Sequence, residues 1–224
     1  MVSSVNVRLA WFAIICSMTC LGCAIGPRRD AASPANVLII GDSISIGYFE
    51  PVKALLGEKA NVIHNPGNAQ HTAHGLAHLD EWLGKTTWDV IHFNHGLHDL
   101  KYADKNGKLV PVAEGRQQIP IGEYARNLEE LTVRLRRTGA ALIFATTTPI
   151  PPGATGRIPG DDVRYNMVAR EIMANHRVAI NDLYAFASVR LDAIQQPHNV
   201  HFTEEGSRQL AEEVARHILD ALEK

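Results

Sequence analysis

Asn36-Val37-Leu38-Ile39-Ile40-Gly41-Asp42-Ser43 is the stretch on which the fold turns. Its four consecutive apolar residues are too few for a helix and suit a strand buried on both faces, as strands of parallel sheets are. They run directly into Gly-Asp-Ser, where glycine permits a tight bend and Asp or Ser can cap a following helix. A serine at such a strand-to-helix turn also exposes its hydroxyl at a helix N-terminus, where the dipole and free N–H groups steady a negative oxygen. Alone, Gly-Asp-Ser is more often a cap than a catalyst, so the rest of the chain has to decide.

Outward from this stretch the pattern repeats. Short apolar runs recur at Asn61–His64, Asp89–Phe93, Ala140–Ala145 and Val178–Ile180. Between them lie amphipathic segments, clearest from Ile121 to Arg137, with Ile121, Ala125, Leu128, Leu131 and Leu135 on one stripe and Gly139 as a stop. The last helix is expected from Glu204 to Leu222, with Leu210, Val214, Ile218 and Leu222 facing inward. Alternating strands and helices predict an α/β fold: a three-layer α/β/α sandwich around a central five-stranded parallel sheet, flavodoxin-like in plan. In such folds ligands bind at the carboxyl ends of the strands. The chemistry should therefore fall in Gly41–Ser43, Asn65–Asn68, Asn94–Asp99 and the loop Thr146–Pro152.

The whole chain has 224 residues, 46% of them hydrophobic, and a formal charge of −2, an ordinary composition for one globular domain. That charge supplies no basic field for nucleic acid, which is excluded as a partner. At the N-terminus a single positive charge, Arg8, precedes an apolar run from Leu9 to Leu21 and the small residues Gly22, Cys23 and Ala24. This is the layout of a secretory signal peptide, and the run is shorter than the roughly 20 residues that span a bilayer comfortably. The expected division is a signal peptide over 1–22, a Pro-containing tether over 23–35 and one domain over 36–224. Cys20-Leu21-Gly22-Cys23 resembles a bacterial lipobox, with Cys20 where leucine is usual. The resemblance implies lipidation of Cys23 and an exported protein, periplasmic or extracellular, anchored to a membrane through that lipid. All three cysteines lie within the first 23 residues, so a mature chain starting at Cys23 forms no internal disulfide.

A nucleophilic serine needs a base, and His201, in Asn199-Val200-His201-Phe202-Thr203-Glu204-Glu205-Gly206 before the last helix, has the best setting. Taken together, these stretches resemble the SGNH (GDSL-like) hydrolase family over nearly all of Asn36–Leu222. The resemblance implies Ser43 as nucleophile in the first family block and Gly67, in Asn65-Pro66-Gly67-Asn68, as a backbone oxyanion donor in the second. The third block, usually G-x-N-D, matches Gly96-Leu97-His98-Asp99, with His98 in place of the oxyanion-hole asparagine. The last, usually D-x-x-H, matches His198–His201, with His198 in place of the acid. A neutral imidazole still donates one N–H and an imidazolium two, so His98 can complete an oxyanion hole with the N–H groups of Ser43 and Gly67. A neutral histidine at 198 lacks the charge of a carboxylate, a role worth about four orders of magnitude in rate. Three possibilities stay open: a backbone carbonyl orients His201, leaving a Ser–His dyad; Asp99 or Asp182, beside strand ends, substitutes; or activity is weak.

The function implied is a serine esterase that forms an acyl-enzyme and needs no cofactor. The segments 101–120 and Pro149–Asp162 are polar rather than greasy and should border the site, favouring acetylated carbohydrate over long-chain lipid as substrate. Tyr165 and Asn166 follow the second loop and face either the substrate or the helix. Two other classes compete. The altered motif positions suit a non-catalytic carbohydrate-binding protein on the same fold. The histidines 71, 74 and 78, together with 92, 95 and 98, suggest metal binding, although no cysteine or H-E-x-x-H accompanies them.

Overall fold

The computed structural model describes Met1 and residues 33–224; the expected signal peptide, most of the tether and Cys23 lie outside the described residues. The central sheet is built from β1 (Ala35–Ile40), β2 (Ala60–His64), β3 (Val90–Phe93), β6 (Ala141–Ala145) and β7 (Ala179–Asn181). A small antiparallel pair, β4 (Tyr102–Ala103) and β5 (Arg116–Gln117), organises the polar segment after β3. The helices are α1 (Ser43–Leu56), α2 (Thr72–Leu83), α3 (Ile121–Arg136), α4 (Asp161–His176), the short α5 (Leu183–Ser188) and α6 (Leu191–Ile194), and α7 (Glu204–Leu222).

All five central strands are parallel, in the order β2-β1-β3-β6-β7. The crossover from β1 through α1 steps one way to β2, and every later crossover steps back the other way. With right-handed connections this puts α1 on one face and α2, α3 and α4 on the other. The side-by-side pairs α2 with α3 and α3 with α4 follow from it, and α7 closes the first face against α1. The order reverses between β1 and β3, so the loops after these two strands flank the crevice where ligands bind in open α/β sheets.

Patterning explains the packing. Val37, Leu38, Ile39 and Ile40 are all buried, as are the four residues of β3. The α3 stripe buries Leu128, Leu131 and Leu135, and the α7 stripe buries Leu210, Val214 and Ile218. Gly139, at φ +77°, supplies the left-handed turn after α3. Polar residues also enter the core: His92 of β3 is fully buried, edge-on to Tyr48 at 6.4 Å and 3.2 Å from the side-chain amide of Asn181, which is fully buried too. Burial pushes its imidazole down to about 3, so it is neutral and structural. Among the described residues no helix is long and apolar enough to cross a membrane.

Candidate active site

Ser43 is the first residue of α1, directly after the turn that ends β1. Asp42 caps the helix, its side chain accepting from the Ile44 N–H at 2.9 Å. Gly41 fits because the chain passes so close that a Cβ there would lie 2.6 Å from Ser45 Oγ. The loop after β2 is tied to this turn: Gly41 N–H donates to Asn65 Oδ1 at 2.8 Å, and Ala69 N–H donates to the Gly41 carbonyl at 2.9 Å. Gly67 lies between these ties at φ +65°, where a side chain would be strained. Two backbone donors, the Ser43 N–H of the unsatisfied first helical turn and the Gly67 N–H, thus belong to loops fixed to one another.

His201 reaches Ser43 from the far end of the chain. Its Nε2 is 2.8 Å from Ser43 Oγ, and its Nδ1 is 2.7 Å from Asn199 Oδ1. Asn199 Oδ1 also accepts the His201 backbone N–H at 3.1 Å, closing an Asx turn, while Asn199 Nδ2 donates to Gln196 Oε1 at 3.2 Å. With its amide held that way round, Asn199 presents an acceptor, so His201 carries its proton on Nδ1 and leaves Nε2 to accept from the serine hydroxyl. The supporting loop is well bonded: Gln195 Nε2 donates to the Pro149 carbonyl at 2.9 Å, Thr203 N–H to the Ile194 carbonyl at 2.8 Å, and Thr203 Oγ1 caps α7 at Gly206.

The group on Nδ1 is therefore not one of those expected from sequence. Asp99 is buried elsewhere, its Oδ1 accepting from Thr72 N–H at 2.9 Å and Thr72 Oγ1 at 2.6 Å, where it anchors the start of α2. Burial pushes its carboxyl up to about 7. Asp182 caps α5 at Ala185, accepts from Thr146 Oγ1 at 2.9 Å and pairs with Arg170. Those bonds hold its carboxyl below the usual range against the upward push of partial burial. His198 sits on the outer side of its loop at φ +57°, its Nδ1 2.9 Å from the Pro152 carbonyl. The backbone-carbonyl dyad also gives way, because a side-chain amide occupies Nδ1. Matching D-x-x-H three residues before the histidine overlooked Asn199, two residues before it; the available signal was the Asx-turn geometry of Asn-x-His.

His98 lies in the loop that follows β3. Its Nδ1 is buried with no partner among the described residues, and burial, together with Lys101 and Arg157, pushes its imidazole down to about 3. Its imidazole is thus held in the neutral form, which has one N–H to donate. Tyr165 and Asn166 belong to the scaffold rather than the cleft: Tyr165 Oη donates to the Ile119 carbonyl at 2.6 Å, and Asn166 brackets Thr147 through its N–H and carbonyl, each at 2.8 Å. His71, His74 and His78 pack ring against ring along α2, with His74 and His78 centroids 4.2 Å apart and Trp82 next in line. Among the described residues no group of three side chains could hold a metal ion.

Two depressions adjoin the pair. One of about 220 Å³ is lined by Ser43, Ile44, Gly47, His201, Phe202 and Ser207. The other, about 330 Å³, lies beside His201 and Asn199 and is bordered by Thr155, Arg157 and His198. Sequence reasoning named neither Arg157 nor Lys101, since a lone cation in a polar loop carries no motif.

No protein-family model matches the sequence, and no curated protein matches it either. Solved structures do match in fold. A lipase/acylhydrolase from Enterococcus faecalis is 21% identical, with 82% of this chain and 95% of that one covered at a TM-score of 0.69. Axe2, an acetylxylan esterase from Geobacillus stearothermophilus, is 18% identical, covering 84% and 95% at 0.69. TesA is 18% identical, covering 83% and 99% at 0.62. The chain thus has the fold of SGNH-type hydrolases, a five-stranded parallel sheet flanked by helices.

Proposed function

We propose that the protein is a serine esterase that removes acyl groups, chiefly acetyl, from carbohydrate. The observation that carries the proposal is the continuous chain Ser43 Oγ, His201, Asn199 Oδ1, with contacts of 2.8 and 2.7 Å. It follows the nucleophile, base and orienting-group logic of acyl transfer, with asparagine third as in Cys-His-Asn proteases. His201 Nε2 takes the Ser43 proton as Oγ attacks the ester carbonyl. The tetrahedral oxyanion rests on the N–H groups of Ser43 and Gly67 and on His98. His201 then protonates the sugar oxygen as its bond to the acyl carbon breaks, and water, deprotonated by the same imidazole, attacks the acyl-enzyme, so that Ser43 Oγ leaves with that proton and the acid is released.

The small depression at Ser43 favours a short acyl group, and the one beside it, where Thr155, Arg157 and Asn199 stand among Leu109, Ala154 and Val200, offers polar contacts to the alcohol, in keeping with the names of the acetylxylan esterases that share the fold. Ser43→Ala should abolish p-nitrophenyl acetate hydrolysis by folded protein; full activity in that variant overturns the nucleophile. Acetate release from acetylated oligosaccharides should exceed hydrolysis of long-chain esters, and the opposite ranking would remove carbohydrate as the substrate. The proposal includes export and lipidation at Cys23, tested by palmitate labelling that Cys23→Ser should abolish.

A further inference from the structure

The lining of the larger depression includes a cation, Arg157, and a second, Lys101, stands close enough to be felt as a like charge. Arg157 lines that depression next to His201 and Asn199. Its Nε donates to the Leu97 carbonyl at 3.3 Å, which leaves both terminal nitrogens of the guanidinium without a partner among the described residues. Lys101 stands beside it, because the next residue, Tyr102, donates its N–H to the carbonyl of Gly156 at 2.7 Å. Among the described residues the Lys101 ammonium meets only the Gly107 carbonyl, at 3.4 Å.

No carboxylate lies within ion-pair distance of either cation among the described residues. The nearest acidic influence on Arg157 is Asp42, whose carboxyl is already committed to capping α1. Lys101 is partly desolvated and feels Arg157 as a like charge, both of which lower its pKa. Asp42 supplies a distant counter-charge to Arg157 but no ion pair to either cation, so the like-charged pair still gains when an anion arrives in direct contact. Their backbone is fixed in advance. Gly156, at φ +64°, passes so close to the preceding loop that a Cβ there would meet the Val110 carbonyl at 2.5 Å. Arg157 on the lining of the depression beside His201, backed by Lys101, is an arrangement suited to recognising an anion.

We propose that Arg157, assisted by Lys101, is a specificity determinant that binds a carboxylate on the sugar carrying the ester, so that the preferred substrate is an acetylated acidic glycan. The chemistry at the ester rests on the esterase proposal, whereas the binding of the carboxylate does not. Arg157 offers its unpaired nitrogens as a fork that matches a carboxylate, and Lys101 adds a point charge.

The test compares acetylated oligogalacturonides with the same oligomers carrying methyl-esterified carboxylates. At low salt kcat/KM should be about tenfold or more higher on the acid form, as expected for hydrogen bonds to a charged group, and added NaCl should narrow the gap. In Arg157→Gln the ratio should fall towards one, and Arg157→Lys should restore part of it. Equal losses on both substrates in Arg157→Gln would make the side chain a structural partner of Asp42 and overturn the proposal, as would a wild-type ratio near one. A second arm needs no turnover. Calorimetric binding of deacetylated oligogalacturonide to Ser43→Ala protein should be detectable and should weaken about tenfold in Ser43→Ala/Arg157→Gln. Absence of binding to Ser43→Ala overturns the subsite. Absence of ester hydrolysis in wild type, with binding retained, overturns the esterase proposal alone.

Discussion

The side-chain oxygen of Asn199 lies 2.7 Å from Nδ1 of His201, and the same oxygen accepts the His201 backbone N–H at 3.1 Å. A neutral amide here sets the tautomer and the ring's orientation but adds no full charge to stabilise the imidazolium formed during attack. Asn199→Ala should therefore lower kcat by roughly 10²- to 10⁴-fold with the fold intact. Asn199→Asp should behave differently. A carboxylate beside His201 raises its pKa, and since the base must be neutral to accept a proton, the acidic limb of kcat/KM should move to higher pH. Measured pH profiles that coincide for wild type and Asn199→Asp would show that residue 199 does not act through His201.

His98 stands where the SGNH pattern that the sequence resembles has asparagine, and burial pushes its imidazole down to about 3, which keeps it neutral. In the proposed mechanism its replacement by alanine removes one oxyanion donor, for which about a 10²- to 10³-fold loss in kcat is expected. His98→Asn supplies an N–H donor again and should recover most of that loss. Steady-state kinetics on p-nitrophenyl acetate decide the point: equal activity in wild type and His98→Ala removes His98 from the oxyanion hole.

Asp99 makes a prediction about stability rather than rate. Its carboxyl is raised to about 7 by burial, so between pH 4 and 7 the folded state holds a proton that the unfolded state has released. Stability from this group is complete below about pH 4 and declines as pH rises through 7. The buried His92 and His95, lowered to about 3 and about 4, act in the opposite sense: their contribution is complete above the ordinary histidine range and fades as pH falls towards those values. Asp99→Asn isolates the first effect, because its amide oxygen can still accept both Thr72 bonds. The Tm difference, variant minus wild type, should grow more positive from pH 4 to pH 7, with kcat little changed. A pH-independent difference would show that Asp99 is ionised in the folded protein throughout.

The parts of the molecule legible in the sequence were those governed by periodicity. Runs such as Val37–Ile40 admit one burial pattern, and α3 and α7 carry stripes that only a helix can bury, so the parallel sheet and its three layers followed, whereas the strand order did not. Ser43 and His201 were legible for a related reason: each sits at the junction of a strand or loop with a helix that periodicity locates. Asn199 was not, because its role depends on which way an amide is held by Gln196 and by its own Asx turn, and spacing does not encode that. Asp99 and Asp182 misled for the complementary reason. A carboxylate near a strand end can equally anchor a helix start, and only the partners, Thr72 for one and Ala185 with Arg170 for the other, show that both do so.

Gly206 couples the catalytic loop to α7. A Cβ on it would lie 2.1 Å from the Ile194 carbonyl, a backbone atom that cannot swing aside as a flexible side chain would. That carbonyl also accepts from Thr203 N–H at 2.8 Å and Thr203 Oγ1 at 3.1 Å, the residue that caps α7 two positions beyond His201. Gly206→Ala must therefore separate α7 from the 194–203 segment, at a cost of about 1–3 kcal/mol in stability, as for other overpacked sites. The displaced segment carries both Asn199 and His201, so kcat should fall further than the stability loss alone explains. Ser207→Ala, one residue on and close to the α1 helix at Gly47, enlarges rather than crowds its surroundings and should leave the loop in place. Urea unfolding with turnover measured well below the midpoint separates the two effects. If Gly206→Ala loses stability but keeps wild-type kcat while folded, the alignment of His201 on Ser43 does not depend on this contact.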